Sequence, residues 1–433
     1  MVRTSATFQG GACARVPSAR LRVSMIVLVA NLGSTSFKYK LFDMAQQETV
    51  LAEGAADRIG QPTSAWSFQA GGKKQRGEAS LPDHAAAIDL HLRELRVAHV
   101  IKNISDVQAV GFKAVHGGPI SGAVRVNEQV LQTMQQFADV TPQHNPPYIA
   151  AMRAFAHLLP AAPQVAAFET AFHQSIPARR QAYAIPYEWT EGLGIRRYGF
   201  HGASHRYIAT RMAEVAPAAR RIISCHLGGS SSVCAIENGQ SVANSFGMTT
   251  QSGLPQASRV GDFDAFCLLK LLASGLSLET IWKKLGKESG LLGASGVSSD
   301  CRDVEEAASK GNARAQLALD MLVEGVRHYI GAYMAVMNGA DAIVFTGGIG
   351  QNAARLRGRM LEKLTFAGVA VNADKNAGMR TEGRIDGTES RVQLWVMPTN
   401  EELIVARQTV RALAGGAAEA PAGAAAPGAA PSQ

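Results

Sequence analysis

Three segments of this 433-residue chain carry an apolar run that ends abruptly in small polar residues. Met25-Ile-Val-Leu-Val-Ala30 leads into Asn31-Leu-Gly-Ser34-Thr-Ser36, with Lys38 shortly beyond. Arg221-Ile-Ile-Ser-Cys225 leads into His226-Leu-Gly228-Gly229-Ser-Ser-Ser232, and Ala342-Ile-Val-Phe345 leads into Thr346-Gly-Gly348-Ile349-Gly-Gln-Asn352. Each reads as a buried strand followed by a turn without bulk. Gly and Ser let backbone N–H groups and hydroxyls converge on phosphate oxygens without Cβ collisions, so the chemistry that suits these turns is phosphate binding. None matches the Walker or dinucleotide pattern. A single such turn reads as a plain strand-turn of an α/β protein, and the three together point to a nucleotide.

The elements that must position these turns follow from their spacing. Gly33 and Gly228 lie 195 residues apart, about half the core, which suggests equivalent parts of a duplicated domain. Two related α/β domains facing each other across a cleft, each with a phosphate loop, make a nucleotide phosphotransferase. Near the chain end, Asn400 reads as an N-cap, with Glu401 and Glu402 in the first turn of a helix that continues through apolar Leu403, Ile404 and Val405.

Composition sets the class. With 46% apolar and 18% charged residues the chain suits a globular protein with a packed core, and its length suits two domains. The longest apolar runs stop well short of the ~20 residues of a membrane-spanning helix, so no membrane partner is expected. Of the net charge of +8, half belongs to Arg3, Arg15, Arg20 and Arg22 in an acid-free leader, so nothing points to nucleic acid. Residues 1–24 read as a disordered leader, with a transit peptide or an upstream extension before Met25 as alternatives. Residues 414–433 are half alanine and read as a disordered tail. The cysteines, Cys13, Cys225, Cys234, Cys267 and Cys301, form no C-x-x-C pair, which suits a reducing cytoplasm without structural zinc.

Ten segments, in order, then carry a resemblance: Asn31-Leu-Gly-Ser-Thr-Ser36, Ala114-Val-His-Gly-Gly118, His144-Asn-Pro146, Thr170-Ala-Phe-His173, Arg196-Arg-Tyr-Gly-Phe-His-Gly-Ala-Ser-His205, His226-Leu-Gly228, Ser258-Arg-Val-Gly-Asp262, Ser295-Gly-Val-Ser-Ser-Asp300, Phe345-Thr-Gly-Gly-Ile-Gly350 and Thr399-Asn-Glu-Glu402. On these the chain resembles the acetate kinase family, within the actin-, sugar-kinase- and Hsp70-like ATPases. The resemblance implies an α/β fold of two duplicated actin-like (ribonuclease H-like) domains around an interdomain cleft. Domain I is expected over residues 25–170 plus 399–413, and domain II over 171–398. It also implies a cytoplasmic homodimer that uses ATP and Mg²⁺ (or Mn²⁺) to phosphorylate a short carboxylic acid reversibly to an acyl phosphate.

By the same resemblance, Arg259 clamps substrate and transition state, His201 stabilises phosphate, and His144, Glu169 and Lys113 complete the catalytic set. Asn31 and Glu401 fall where the family holds its metal. Asn31, Ser34, Ser36, Lys38, His226, Gly228 and Gly229 fall at its phosphates, and Asp300, Arg302, Gly348, Ile349 and Asn352 around adenosine. Lys113, Val115, Gln143, Phe200 and Thr250 would line the acyl pocket. His116, His173, His205 and, on its residue type alone, His226 read as hydrogen-bonded scaffold. Arg196 and Arg197, adjacent and so pointing oppositely, include at least one structural residue.

Several positions depart from the family pattern. Lys113 replaces an Arg, which keeps the charge and loses the bidentate fork. Glu169 replaces an Asp, Gly229 an Asn, and Gln351 a Glu. Gln143 and Thr250 replace Leu and Pro at the acyl pocket, adding hydrogen-bonding groups that cost roughly 1–3 kcal/mol each if buried unpaired. A more polar or larger acid than acetate, or pocket water, is therefore expected. A nucleotide-binding family member that has lost efficient transfer and acts as a sensor or regulator is the alternative.

Overall fold

The computed structural model describes residues 25–415 except Gln143. The leader, residues 416–433 and Gln143 lie outside the described residues. Chain order places β1 (Ile26–Gly33), β2 (Ser36–Asp43), β3 (Thr49–Asp57), β4 (Ser64–Ala70), β5 (Lys73–Ala79), β6 (Ala109–Ala114), β7 (Ala123–Arg125) and β8 (Gln164–Phe168) in one sheet, ordered β5-β4-β3-β2-β1-β6-β8-β7. A second sheet holds β9 (Arg221–His226), β10 (Ser232–Glu237), β11 (Gln240–Asn244), β12 (Ala342–Thr346), β13 (Gly383–Arg384) and β14 (Gln393–Val396), ordered β11-β10-β9-β12-β14-β13.

The duplication read from the glycine spacing is visible in this topology. In the first sheet β1 pairs antiparallel with β2, β2 antiparallel with β3, β1 parallel with β6, and β6 parallel with β8. The second repeats it, with β9, β10, β11, β12 and β14 in the corresponding places. Each sheet therefore has a central strand buried on both faces. Val27 to Ala30 and Ile222 to Cys225 are continuous buried runs for that reason.

The helix Glu401–Leu413 begins where the sequence places it, with the Asn400 side chain accepting from the Leu403 amide at 3.2 Å. Its Ile404, Val405 and Ala406 pack on Val27 and Val29 of β1, so the chain end closes onto the first sheet. Helices His84–Val97 and Asn145–Leu158 pack with the opposite face, where Ile88, Leu92, Met152 and Phe155 join Leu28 and Ala30. Helix Gly202–Val215 lies against Glu401–Leu413. Among the described residues no helix is long and apolar enough to cross a membrane, and Cys225, Cys234, Cys267 and Cys301 are free thiols.

Candidate active site

Asn31, Lys113, Glu169, His226 and Thr346 stand at or just beyond the carboxyl ends of β1, β6, β8, β9 and β12. That is the end where open α/β sheets present their ligand crevice. The first turn proves to be a hairpin, in which Asn31 stands directly across from Lys38 and Gly33 across from Ser36. Ser34 at its tip is exposed. Lys38 is exposed too, and faces a cavity of about 270 Å³ that Lys40, Lys74 and Glu402 also line. Tyr148 donates to the Asn31 carboxamide oxygen at 3.3 Å and accepts from the Leu32 amide at 3.1 Å.

Lys113 is the hub of the site. Its ammonium bonds directly to Glu401 and lies 3.9 Å from Glu169. Burial opposes the Lys113 charge, yet Glu401 and Glu169 together hold its pKa well above the ordinary value. Glu169 is raised to about 7, chiefly by burial and against the pull of Lys113; its carboxylate oxygens are buried and make no hydrogen bond. The Gly202 and Ala203 amides oppose that rise from outside hydrogen-bonding geometry. Glu401 is held below its usual value because Lys113, then His226, outweigh the cost of its burial. Gly202 is required here: a Cβ on it would come within 2.1 Å of the Glu169 carbonyl.

The histidines sort into two kinds. His173 bonds Ser241 and the Phe200 carbonyl, and His205 bonds Ser224 and Ser232. His116 Nδ1 accepts from the Gly118 amide. These three are scaffold, as their residue type suggested. His226 differs: its ring centroid lies 4.2 Å from that of His201, the two rings tilted by 35°, and its Nδ1 lies 2.8 Å from the Ser204 hydroxyl and 3.8 Å from Glu401. His201 bonds Ser232 at 2.8 Å and caps helix Gly202–Val215 with a left-handed φ of 57°. Burial, then His226, His205, Lys113 and Arg259, keep His201 neutral far below its usual pKa. His144 is lowered to about 4 by burial and by the charges of Arg259 and Lys113.

Arg259 has no carboxylate partner among the described residues. Its Nη1 donates to Ser230 Oγ at 3.1 Å, to Gln256 Oε1 and Thr250 Oγ1 at 3.3 Å, and to the Thr250 carbonyl. The Thr250 hydroxyl thus has a partner in Arg259 and carries no unpaired-burial cost. Val115 and Phe200 are buried in the first core, with His116 beside Phe200. Arg196 lies over the Tyr198 ring and Arg197 over that of Tyr183.

The second and third turns lock together. Leu227 donates to the Thr346 carbonyl, and its own carbonyl accepts from the Ile349 and Gly350 amides. Gly347 has a φ of 78°, and a Cβ there would meet the Leu227 carbonyl at 2.6 Å. Gly228 lies beside Gly348, and Asn352 bonds the Gly348 carbonyl. Asp300 and Arg302 pair with each other at an exposed helix start; the Arg302 hydrogen bonds lower Asp300 to about 2.

The acetokinase family profile matches residues 26–407. The chain belongs to the acetokinase family. It is 45% identical over 399 residues to the acetate kinase of Heliobacterium modesticaldum, covering 90% of this chain and 100% of that one. It is 41% identical over 390 residues to the acetate kinase of Shouchella clausii, covering 89% and 98%. The crystal structure of Porphyromonas gingivalis acetate kinase superposes with a TM-score of 0.83 at 39% identity, covering 90% of this chain and all of that one (100%). A propionate kinase from Francisella tularensis gives 0.84 at 34% identity, covering 89% and 99%.

As an acetokinase-family site it shows what its departures do. The ammonium of Lys113 is a single point shared by two carboxylates, where an Arg would offer a fork. At Gly229 a Cβ would meet nothing within 4 Å, so the Asn of the family pattern has room and is simply missing. The second acyl-pocket change, Gln143, lies outside the described residues. Tyr148, Ser232 and Gln256 were not legible as site residues. The sequence signal for each was only a polar residue near a motif.

Proposed function

We propose that this chain transfers the γ-phosphoryl group of ATP reversibly to the carboxylate of acetate or a related short acid. The observation that carries this is the convergence, at the carboxyl ends of both sheets, of the cations Arg259 and Lys113 with neutral His144 and His201 around Glu169 and Glu401.

Mg²⁺ suits this donor set: Glu169 offers two buried carboxylate oxygens without hydrogen bonds, and Glu401 shares its partner Lys113. Among the described residues no three His, Cys, Asp or Glu form a metal cage, and Mg²⁺ bound with phosphates needs only one or two carboxylates. When bound, it offsets charge on the phosphates. The rest falls to the protein. Arg259, with no carboxylate neutralising it, holds the attacking carboxylate and the equatorial oxygens of the transferring group. Neutral His144 and His201 can each donate one ring N–H without adding a net charge. Glu401 keeps Lys113 in place, and Asn31 with the Gly228–Gly229 turn faces the phosphates.

In this reading residues 25–170 with 399–413 and residues 171–398 close as two units, excluding water from the acyl phosphate. A cytoplasmic homodimer belongs to the same reading. Hydroxamate trapping with ATP, Mg²⁺ and acetate, propionate, butyrate or hydroxy acids tests it. Trapped acyl phosphate is expected with at least one acid; ATP binding with none trapped leaves a sensor instead. A clear preference for acetate would remove the polar-acid expectation.

A further inference from the structure

Arg357 is among the largest fully buried side chains of the molecule, with 1% of its surface exposed. It stands on helix Ala354–Leu361, outside every motif discussed above. A guanidinium has five N–H donors, and all five are used. Nη1 donates to the Gly350 carbonyl at 2.8 Å and the Gln351 carbonyl at 2.6 Å. Nη2 donates to the Asn376 carbonyl at 2.8 Å and the Met379 carbonyl at 3.3 Å, and Nε to Asn376 Oδ1 at 3.0 Å. Every acceptor is an amide oxygen, and no carboxylate pairs with Arg357 among the described residues.

These oxygens belong to two segments. Gly350 and Gln351 end the short helix Gly347–Asn352, while Asn376 and Met379 end the helix Ala373–Gly378. A buried cation across the carbonyls of both segments ties them together and favours both helix ends, with the Met379 carbonyl also accepting from Arg380 at 2.9 Å. The front of Gly347–Asn352 is already fixed by the Leu227 carbonyl. Held at both ends, the turn cannot rotate without breaking several buried bonds. Lysine cannot replace this: three donors on one nitrogen do not span oxygens spread around a planar fork.

We propose that Arg357 is a positioning residue for the nucleotide, setting the pose of Gly348, Ile349 and Asn352 through the carbonyls behind them, without touching the ligand. This rests on the reading that those three residues enclose adenosine. The affinity for ATP and ADP then depends on Arg357, while the acid site at Arg259 and Lys113 does not.

Steady-state kinetics and calorimetric ADP binding on the full chain, comparing the parent with Arg357→Lys and Arg357→Met, test this. In folded variants KM for ATP and Kd for ADP should rise about tenfold, with KM for the acid within about twofold. Parent-like ADP affinity, or an equal rise in both KM values, overturns the proposal. Amide hydrogen exchange of the parent decides the matter even where the variants do not fold. ADP should slow exchange in residues 347–352 and 372–379 together. Slowing in 347–352 alone overturns the role of Arg357, and slowing in neither overturns the adenosine reading beneath it.

Discussion

The ammonium of Lys113 and the carboxylate of Glu401 form a direct ion pair although 288 positions separate them in the chain. One comes from a strand of the first sheet, the other from the first turn of the helix that closes onto it. The pair ties the last helix to the first sheet, and Glu169 shares the same cation at 3.9 Å.

Removing that cation strands two buried carboxylates. Lys113→Met should lower stability by about 3 kcal/mol in denaturant unfolding and reduce kcat on the order of a hundredfold. Lys113→Arg should retain most of the stability, because the charge stays. A Lys113→Met protein as stable as the parent would show that the pair contributes little.

Arg259 makes a different case, since among the described residues its partners are neutral oxygens. Arg259→Ala should cost on the order of 10³-fold in kcat while thermal stability changes little. A loss confined to KM for the acid would mean that Arg259 binds substrate without stabilising the transition state.

Gly229 offers a gain. Open space surrounds a Cβ there and no left-handed φ is required. Gly229→Asn should lower KM for ATP by a few-fold, equivalent to about 1 kcal/mol for one added hydrogen bond, with stability within ~0.5 kcal/mol. An unchanged KM would place the turn away from the phosphates.

His91 tests the pH response of the first core. It is 2% exposed among Phe37, Tyr39 and Trp66, and neither ring nitrogen has a hydrogen-bond partner. Burial lowers it to about 4, the nearby Ala55 backbone offsetting only part of the shift. Its folded pKa lies below the unfolded one, so the unfolded chain takes up the proton first. Stability is full above the unfolded value near 6.5 and is lost as pH falls towards 4. Between pH 7 and 5 this one group removes roughly 2 kcal/mol. His91→Leu should therefore gain more stability at pH 5 than at pH 7 by about that amount, as read from denaturant unfolding at both values.

What could be read along the chain is what depends on neighbours in sequence. Apolar runs ending in Gly, Ser and Asn gave β1, β9 and β12 with their turns, Asn400 gave the start of the last helix, and the ordered motifs gave the family. Even the duplication was legible from the spacing of two glycines. Side-chain partnership was not. That Thr250 answers Arg259, that Tyr148 answers Asn31, that His226 leaves the scaffold histidines to join Glu401, and that Arg357 meets five amide oxygens all depend on contacts between segments far apart in the chain. The sequence determined which residue types were available at the carboxyl ends of the strands. Only packing decided which of them face one another, because a buried charge takes the partners that the surrounding backbone places within reach, whatever their distance in sequence.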